Sequence, residues 1–166
     1  MRINNTSKDN LRQSALANRR KLTASDLEKH AVTLAKTALA LPEVQKARVI
    51  ALYESISTEP PTHALIKALR ASGKTVIVPK NAHEKVKVEW TGDASKADVW
   101  LIPALLVDKT GTRLGKGAGW YDRALASKKR NAKVFALIYD FELVNFPLPS
   151  DTKDAKVDGA VVVNNE

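Results

Sequence analysis

Between Thr110 and Leu125 the chain reads TGTRLGKGAGWYDRAL, with Gly115, Gly117 and Gly119 at every second position and Arg113, Lys116 and Arg123 interspersed. Alternate glycines open backbone conformations closed to other residues and remove the Cβ atoms that would hold a ligand away. Successive free N–H groups in such a loop form a concave nest for anionic oxygens. The residues after it, through Ala124 and Leu125, have helical character, so the loop feeds a helix N-terminus with its positive dipole end. The chemistry this supports is phosphate binding. The spacing is neither the dinucleotide G-x-G-x-x-G pattern nor a P-loop, because no Gly-Lys-Ser/Thr follows. The plainer alternative is a wide turn whose glycines answer to geometry alone. Asp122, just past the loop, is the kind of carboxylate that joins phosphate oxygens and water around Mg²⁺. An N-cap, or a salt bridge to Arg113 or Arg123, is its competing use.

The elements that must hold this loop follow from periodicity. Thr23 caps a helix with Asp26 in a capping-box position, and Leu27, Ala31, Leu34, Ala38 and Leu41 keep one apolar face until Pro42 stops it. Arg48–Tyr53 is a β-branched and aromatic run, hence a strand. A helix runs from about Thr62 to a left-handed stop at Gly73, and Thr75–Pro79 is the next strand. Strand, helix, strand implies parallel pairing with a right-handed crossover. Lys85–Trp90 alternates charged and apolar, as a half-exposed or edge strand does. Ala97–Asp108 and Lys133–Asp140 are near-continuous apolar runs, expected of strands covered on both faces. Gly159–Val163 is a last strand. The expected fold is α/β: a single three-layer α/β/α domain over 1–166 with a mostly parallel central sheet. In such sheets ligands sit beyond the carboxyl ends of the strands.

With 166 residues, 44% of them hydrophobic, the chain is long enough for one domain with a proper core. No apolar run is long enough to cross a bilayer, and the stretch MRINNTSKDNLRQ lacks the apolar core of a secretory signal. The absence of cysteine excludes disulfides, thiolate metal sites and thiol nucleophiles, and fits the cytoplasm. The net charge of +9 suits an anionic partner, whether phosphates, a polycarboxylate or nucleic acid, or serves solubility alone. A basic nucleic-acid-binding module is one alternative, but aromatics are only 5% and no recognised binding motif appears. His30, His63 and His83 have no metal spacing and are expected at surface or capping positions.

RLGKGAGWYDRAL resembles the R-L-G-x-G-x-G-Y-Y-D-x-x-L signature of 5-formyltetrahydrofolate cyclo-ligases, also called 5,10-methenyltetrahydrofolate synthetases. KDNLRQSALANRRKLTASD is similar to that family's opening K-x-x-L-R and Arg-rich helix. ALYESISTEPPTHALIKALRASGKTVIVP is similar to its strand, acidic substrate loop, helix and strand. ADVWLIPALLVDKTGTRLG resembles the strand leading into the signature, and ALIYDFELVNFPLPSDTKDAKVDGAVV the closing segment. The resemblance is collinear over nearly the whole chain.

It implies an ATP- and Mg²⁺-dependent cyclo-ligase, acting as a monomer, that converts 5-formyltetrahydrofolate to 5,10-methenyltetrahydrofolate and releases ADP and phosphate. In the family the formyl oxygen takes up the γ-phosphoryl group, N10 closes the ring and phosphate leaves. No protein nucleophile is needed. Lys8, Leu11 and Arg12 match the opening motif, which implies an ATP site there. Lys8, Arg12 and Arg19 fall along one helical stripe that could carry several cations to a polyphosphate, or simply face solvent. Arg113, Leu114, Gly115, Lys116, Gly117, Ala118, Gly119, Trp120 and Tyr121 correspond to the nucleotide loop, with Lys8, Arg113 and Lys116 as catalytic cations. Lys116 to Trp120 also border the folate. Glu59 matches the acidic residue that binds the pterin; Glu54, Tyr53 and Ile56 share its loop. Asp122 and Asp154 match magnesium ligands, and Asp158 is the near neighbour of the second.

The chain also departs from the family pattern. Trp120 replaces the signature's first Tyr and Lys153 replaces a His. The segment between Trp90 and Ala97 is too short for the usual Gly-Ile-x-Glu-Pro element, which builds the folate side. An ATP-binding paralogue acting on another small molecule is therefore the second alternative. Cellular folates carry polyglutamate tails, which the positive charge would attract.

Overall fold

Five of the apolar segments pair side by side into one sheet. The computed structural model describes residues 5–80, 89–152 and 154–164. In chain order its elements are α1 (Asn5–Arg19), α2 (Ala24–Leu39), α3 (Pro42–Lys46), β1 (Val49–Leu52), α4 (His63–Ala71), β2 (Thr75–Ile77), β3 (Val99–Pro103), β4 (Leu106–Val107), β5 (Arg113–Leu114), α5 (Trp120–Leu125), β6 (Lys133–Tyr139) and β7 (Gly159–Val163). The main sheet has the order β2-β1-β3-β6-β7, with every pairing parallel. Helices flank it, giving the expected α/β architecture.

Burial explains the continuous apolar runs. β3 lies at the centre, with Trp100, Leu101 and Ile102 fully buried, and it runs beside β6 from Val99↔Lys133 to Pro103↔Leu137. A strand covered on both faces has no polar alternation to show. From β1 the chain goes to β2 on one side and returns to β3 on the other. The crevice between the carboxyl ends of β1 and β3 is therefore the topological switch point, where ligands of such sheets bind.

Local signals hold well in α2. Thr23 Oγ1 accepts the Asp26 N–H at 3.1 Å and the Asp26 carboxylate accepts the Thr23 N–H at 2.8 Å, the reciprocal pair of a capping box. The buried face of α2 carries Ala31, Leu34 and Ala38 and packs on α4 and β7. α2 ends just short of Pro42, and the proline opens α3 rather than stopping α2. At the first helical turn its missing N–H costs nothing. Asp98 joins the ends of β1 and β3: its carboxylate pairs with Lys129 and accepts the N–H groups of Val49 and Arg48, which together, Lys129 foremost, hold its pKa down to about 2 against burial.

Two expectations need correction. The Ala97–Asp108 run is not one strand: it breaks at Ala104–Leu105, and β4 pairs antiparallel with β5 outside the main sheet. Leu105, Leu106 and Leu114 are buried in a second cluster with Ala15 of α1 and Leu148, so the run serves two cores in succession. His30 is neither surface nor cap. It is 3% exposed, with its ring 5.2 Å from that of Tyr139. His63 does sit exposed at the start of α4. His83 and residues 85–88 of the expected strand lie outside the described residues, while Trp90 makes an isolated bridge to Pro79.

Candidate active site

The switch-point crevice opens into a cleft of about 1010 Å³. Five segments line it: α1, the loop after β1, residues 103–105 at the end of β3, the stretch from Arg113 to Arg123 with Ala126, and the turn holding Asp151 and Asp154.

From α1, Lys8 and Arg12 reach the cleft by different routes. Lys8 Nζ is 3.2 Å from Asp154 Oδ2. Arg12 donates from Nε to the Gly115 carbonyl at 2.9 Å and from Nη1 to Asp9 Oδ1 at 2.9 Å, so it fastens the glycine loop to α1. Leu11 turns instead to the second core cluster. Arg19 lies on the cleft wall but is spent on structure. Its Nε and Nη2 bond both carboxylate oxygens of Glu142, at 2.7 and 3.0 Å, and Nη2 also bonds the Ala104 carbonyl at 2.7 Å. The stripe expected to carry three cations therefore supplies two. Burial raises the Glu142 pKa above the carboxylate norm while Arg19 pulls it back.

In the glycine loop, Gly117 has φ +106° and Gly119 +65°, both left-handed. Gly119 is the N-cap of α5, so the loop does feed a short helix. Close approach supplies a second reason for the alternation. A Cβ on Gly115, Gly117 or Gly119 would lie 2.8, 3.3 or 3.0 Å from the guanidinium of Arg113, Arg12 or Arg123 respectively. Each glycine makes room for one arginine head. Arg113 donates from Nε to the Pro103 carbonyl at 2.7 Å and lies 5.6 Å from the centre of the Tyr121 ring. Burial lowers its pKa, and the charge of Asp122 foremost opposes that shift. Leu114 and Tyr121 are buried, whereas Lys116 and Ala118 are exposed on the loop. Trp120 meets Tyr121 edge-on at 4.6 Å and lies tilted 5.9 Å from Trp90, and its buried Nε1 has no partner among the described residues.

Asp122 is neither the α5 cap nor, among the described residues, in a salt bridge with Arg113 or Arg123; its Oδ1 accepts the Ala155 N–H at 2.9 Å. Asp154 Oδ2 accepts the Asp151 N–H at 3.0 Å beside Lys8. Both carboxylates line the cleft. Asp158 does not: it accepts the Val134 N–H at 2.8 Å. Lys153 lies outside the described residues. Among the described residues no three His, Cys, Asp or Glu side chains gather as a metal cage. Two carboxylates still fit Mg²⁺, which takes one or two of them and fills its shell with phosphate oxygens and water.

Glu59 is 8% exposed, with Oε1 accepting the Ile56 N–H at 2.9 Å and Oε2 3.6 Å from Lys116 Nζ. Glu54 and Ile56 are exposed on the rim, and Tyr53 is buried below them. Sequence reasoning missed Asp9 and Asp151 on the cleft wall and Glu142 beneath it. Asp9 had a signal in its place one turn before Arg12. Glu142 had none, since its partner is 123 residues away.

The model of the 5-formyltetrahydrofolate cyclo-ligase family matches residues 4–92 and 81–163. The chain is 29% identical to a 5-formyltetrahydrofolate cyclo-ligase of Mycolicibacterium smegmatis, covering 89% of each chain. Its identity to the mouse (Mus musculus) protein of that name is 25%, covering 93% of this chain and 92% of the other. It superposes on the solved structure of Aquifex aeolicus 5,10-methenyltetrahydrofolate synthetase with a TM-score of 0.78 at 25% identity, covering 93% of this chain and 89% of that one. The Mycoplasma pneumoniae 5,10-methenyltetrahydrofolate synthetase, at 24% identity, has the same fold with a TM-score of 0.78, covering 93% and 97%.

Proposed function

Because the chain belongs to the 5-formyltetrahydrofolate cyclo-ligase family, we propose that it converts 5-formyltetrahydrofolate to 5,10-methenyltetrahydrofolate with ATP and Mg²⁺, releasing ADP and phosphate. The observation that carries this is the 3.6 Å approach of Lys116 to Glu59, which joins the glycine loop to the acidic loop after β1. A phosphate site and a pterin site must be this close for one bound molecule to be activated by another.

On this proposal Lys8, Arg12, Arg113 and Lys116 surround the polyphosphate, and the backbone from Leu114 to Tyr121 borders it. Asp122 and Asp154 hold Mg²⁺. Glu59 accepts paired hydrogen bonds from the 2-amino-4-oxo edge of the pterin, as a carboxylate is shaped to do, with Glu54 at the rim. Gly117, Ala118, Gly119 and Trp120 face the folate as well. Bound ATP supplies the phosphoryl group that activates the formyl oxygen; the protein aligns the reactants and neutralises charge. No nucleophile of the chain takes part. We further propose a monomer that works in the cytoplasm and has no nucleic-acid partner. Its +9 charge also draws polyglutamylated folates, and equal Michaelis constants for mono- and polyglutamyl substrate would show that it does not.

Protein, ATP, Mg²⁺ and 5-formyltetrahydrofolate should generate methenyltetrahydrofolate absorbance together with ADP. Absence of both at high enzyme concentration would refute the assignment. A second alternative is favoured by the short passage from Trp90 to Ala97, where one turn at Ala94–Lys96 closes the gap. It is a paralogue using ATP on another small molecule, and ADP release indifferent to formyl-folate would select it.

A further inference from the structure

We propose that Tyr139 and Tyr53 are positioning residues for Glu59, holding the loop between β1 and α4 in the conformation that aims the Glu59 carboxylate into the cleft. This rests on the substrate assignment above. The Tyr139 hydroxyl donates to the Thr58 carbonyl at 2.7 Å, and the Tyr53 hydroxyl donates to the Pro60 carbonyl at 3.0 Å. Those two carbonyls immediately precede and follow Glu59, so the residue is gripped on both sides. Between the grips the backbone is not relaxed. Ser57 has φ +51°, a left-handed conformation that a non-glycine residue keeps only where its surroundings over-determine it. The remaining bonds of the loop point the same way. The Ile56 N–H reaches the Glu59 carboxylate, the Glu59 N–H reaches the Ile56 carbonyl, and Ser55 and Thr62 exchange side-chain bonds at 3.0 Å.

Tyr139 is itself fixed from beneath. It is fully buried at the end of β6, its N–H bonds Glu142 Oε1 at 3.1 Å, and the Arg19 guanidinium lies 5.7 Å over its ring. Phe141 stacks on it at 5.3 Å. Arg19 belongs to α1, which also carries Lys8 and Arg12, so one mount sets both walls of the cleft. Burial raises both tyrosine pKa values, so the hydroxyls remain donors across the working pH range.

Tyr139→Phe and Tyr53→Phe keep the rings and remove only the grips. In the full chain, Tyr139→Phe should speed amide hydrogen exchange at Ile56 and Glu59 about tenfold without touching the amides of β3. It should also raise the Michaelis constant for 5-formyltetrahydrofolate about fivefold while that for ATP stays within about twofold. Unchanged exchange in the loop overturns the proposal. So does faster exchange with an unmoved folate constant, since the grip would then be structural alone. Loss of protection in β3 would mean general destabilisation, and Tyr53→Phe, judged by the same two readouts, would then decide. A wild-type chain inert toward formyl-folate refutes the substrate assignment instead, and the exchange result still decides whether the hydroxyls hold the loop.

Discussion

Lys8 Nζ stands 3.2 Å from Asp154 Oδ2, joining α1 to a turn 146 residues away across the mouth of the cleft. Both are partly buried, so each charge is felt more strongly than on an open surface. Lys8→Met should therefore lower kcat/KM for ATP by about a hundredfold, the cost of one preorganised charge-stabilising donor. The folate Michaelis constant should hardly move. Steady-state kinetics with each substrate varied in turn checks this, and equal losses toward both would refute the assignment of Lys8 to the nucleotide.

Asp122→Asn tests the metal assignment. The amide oxygen can still accept the Ala155 N–H, so the fold and the melting midpoint should persist. Turnover should fall by on the order of a hundredfold or more, with a raised Mg²⁺ requirement. Normal turnover over a magnesium titration would remove Asp122 from the metal site.

Gly117→Ala places a Cβ 3.3 Å from Arg12 Cζ at a φ of +106°. Strain of this kind costs about 1–3 kcal/mol, and 1.4 kcal/mol is about a tenfold change in affinity. Direct titration with nucleotide should therefore show binding weakened by about tenfold or more. Unchanged affinity would show that the loop's left-handed backbone is not part of the nucleotide site.

Acid stability should report Asp98. Its folded pKa of about 2 lies below the ordinary 3.8, so its contribution is fully present above pH 3.8 and is lost as pH falls toward about 2. Asp98→Asn should lower stability at neutral pH and flatten the acid limb over that window, because the variant has no proton to take up there. Denaturant unfolding at a series of pH values measures both. An unchanged acid limb would assign the slope to other carboxylates.

Sequence and structure agree where the determining physics is local or uniform. The α2 capping box needs only residues three apart, and the apolar runs in β3 and β6 follow from burial on both faces. The glycine loop and the helix after it were legible for the same reason. What could not be read is what distant residues impose. In Ala97–Asp108 the one local mark of the break is Pro103, which has no N–H for a ladder; the Arg19 guanidinium that holds the Ala104 carbonyl comes from 85 residues away. His30 looks like a surface residue until the Tyr139 ring is brought against it. Arg19 shares the helical spacing of Lys8 and Arg12, and only its bond to Glu142 shows that it is committed elsewhere. Glu59 was visible as an acidic loop residue, but the tyrosines gripping its neighbours were not.

α1 rests on a separate oily seam of Ala15, Leu105, Leu106, Leu114 and Leu148, apart from the larger cluster that binds the central sheet to its other helices. The wall bearing Lys8 and Arg12 is thus moored twice, by that seam and by the buried Arg19–Glu142 pair, so a change at Leu148 or Glu142 reaches the cleft without touching it.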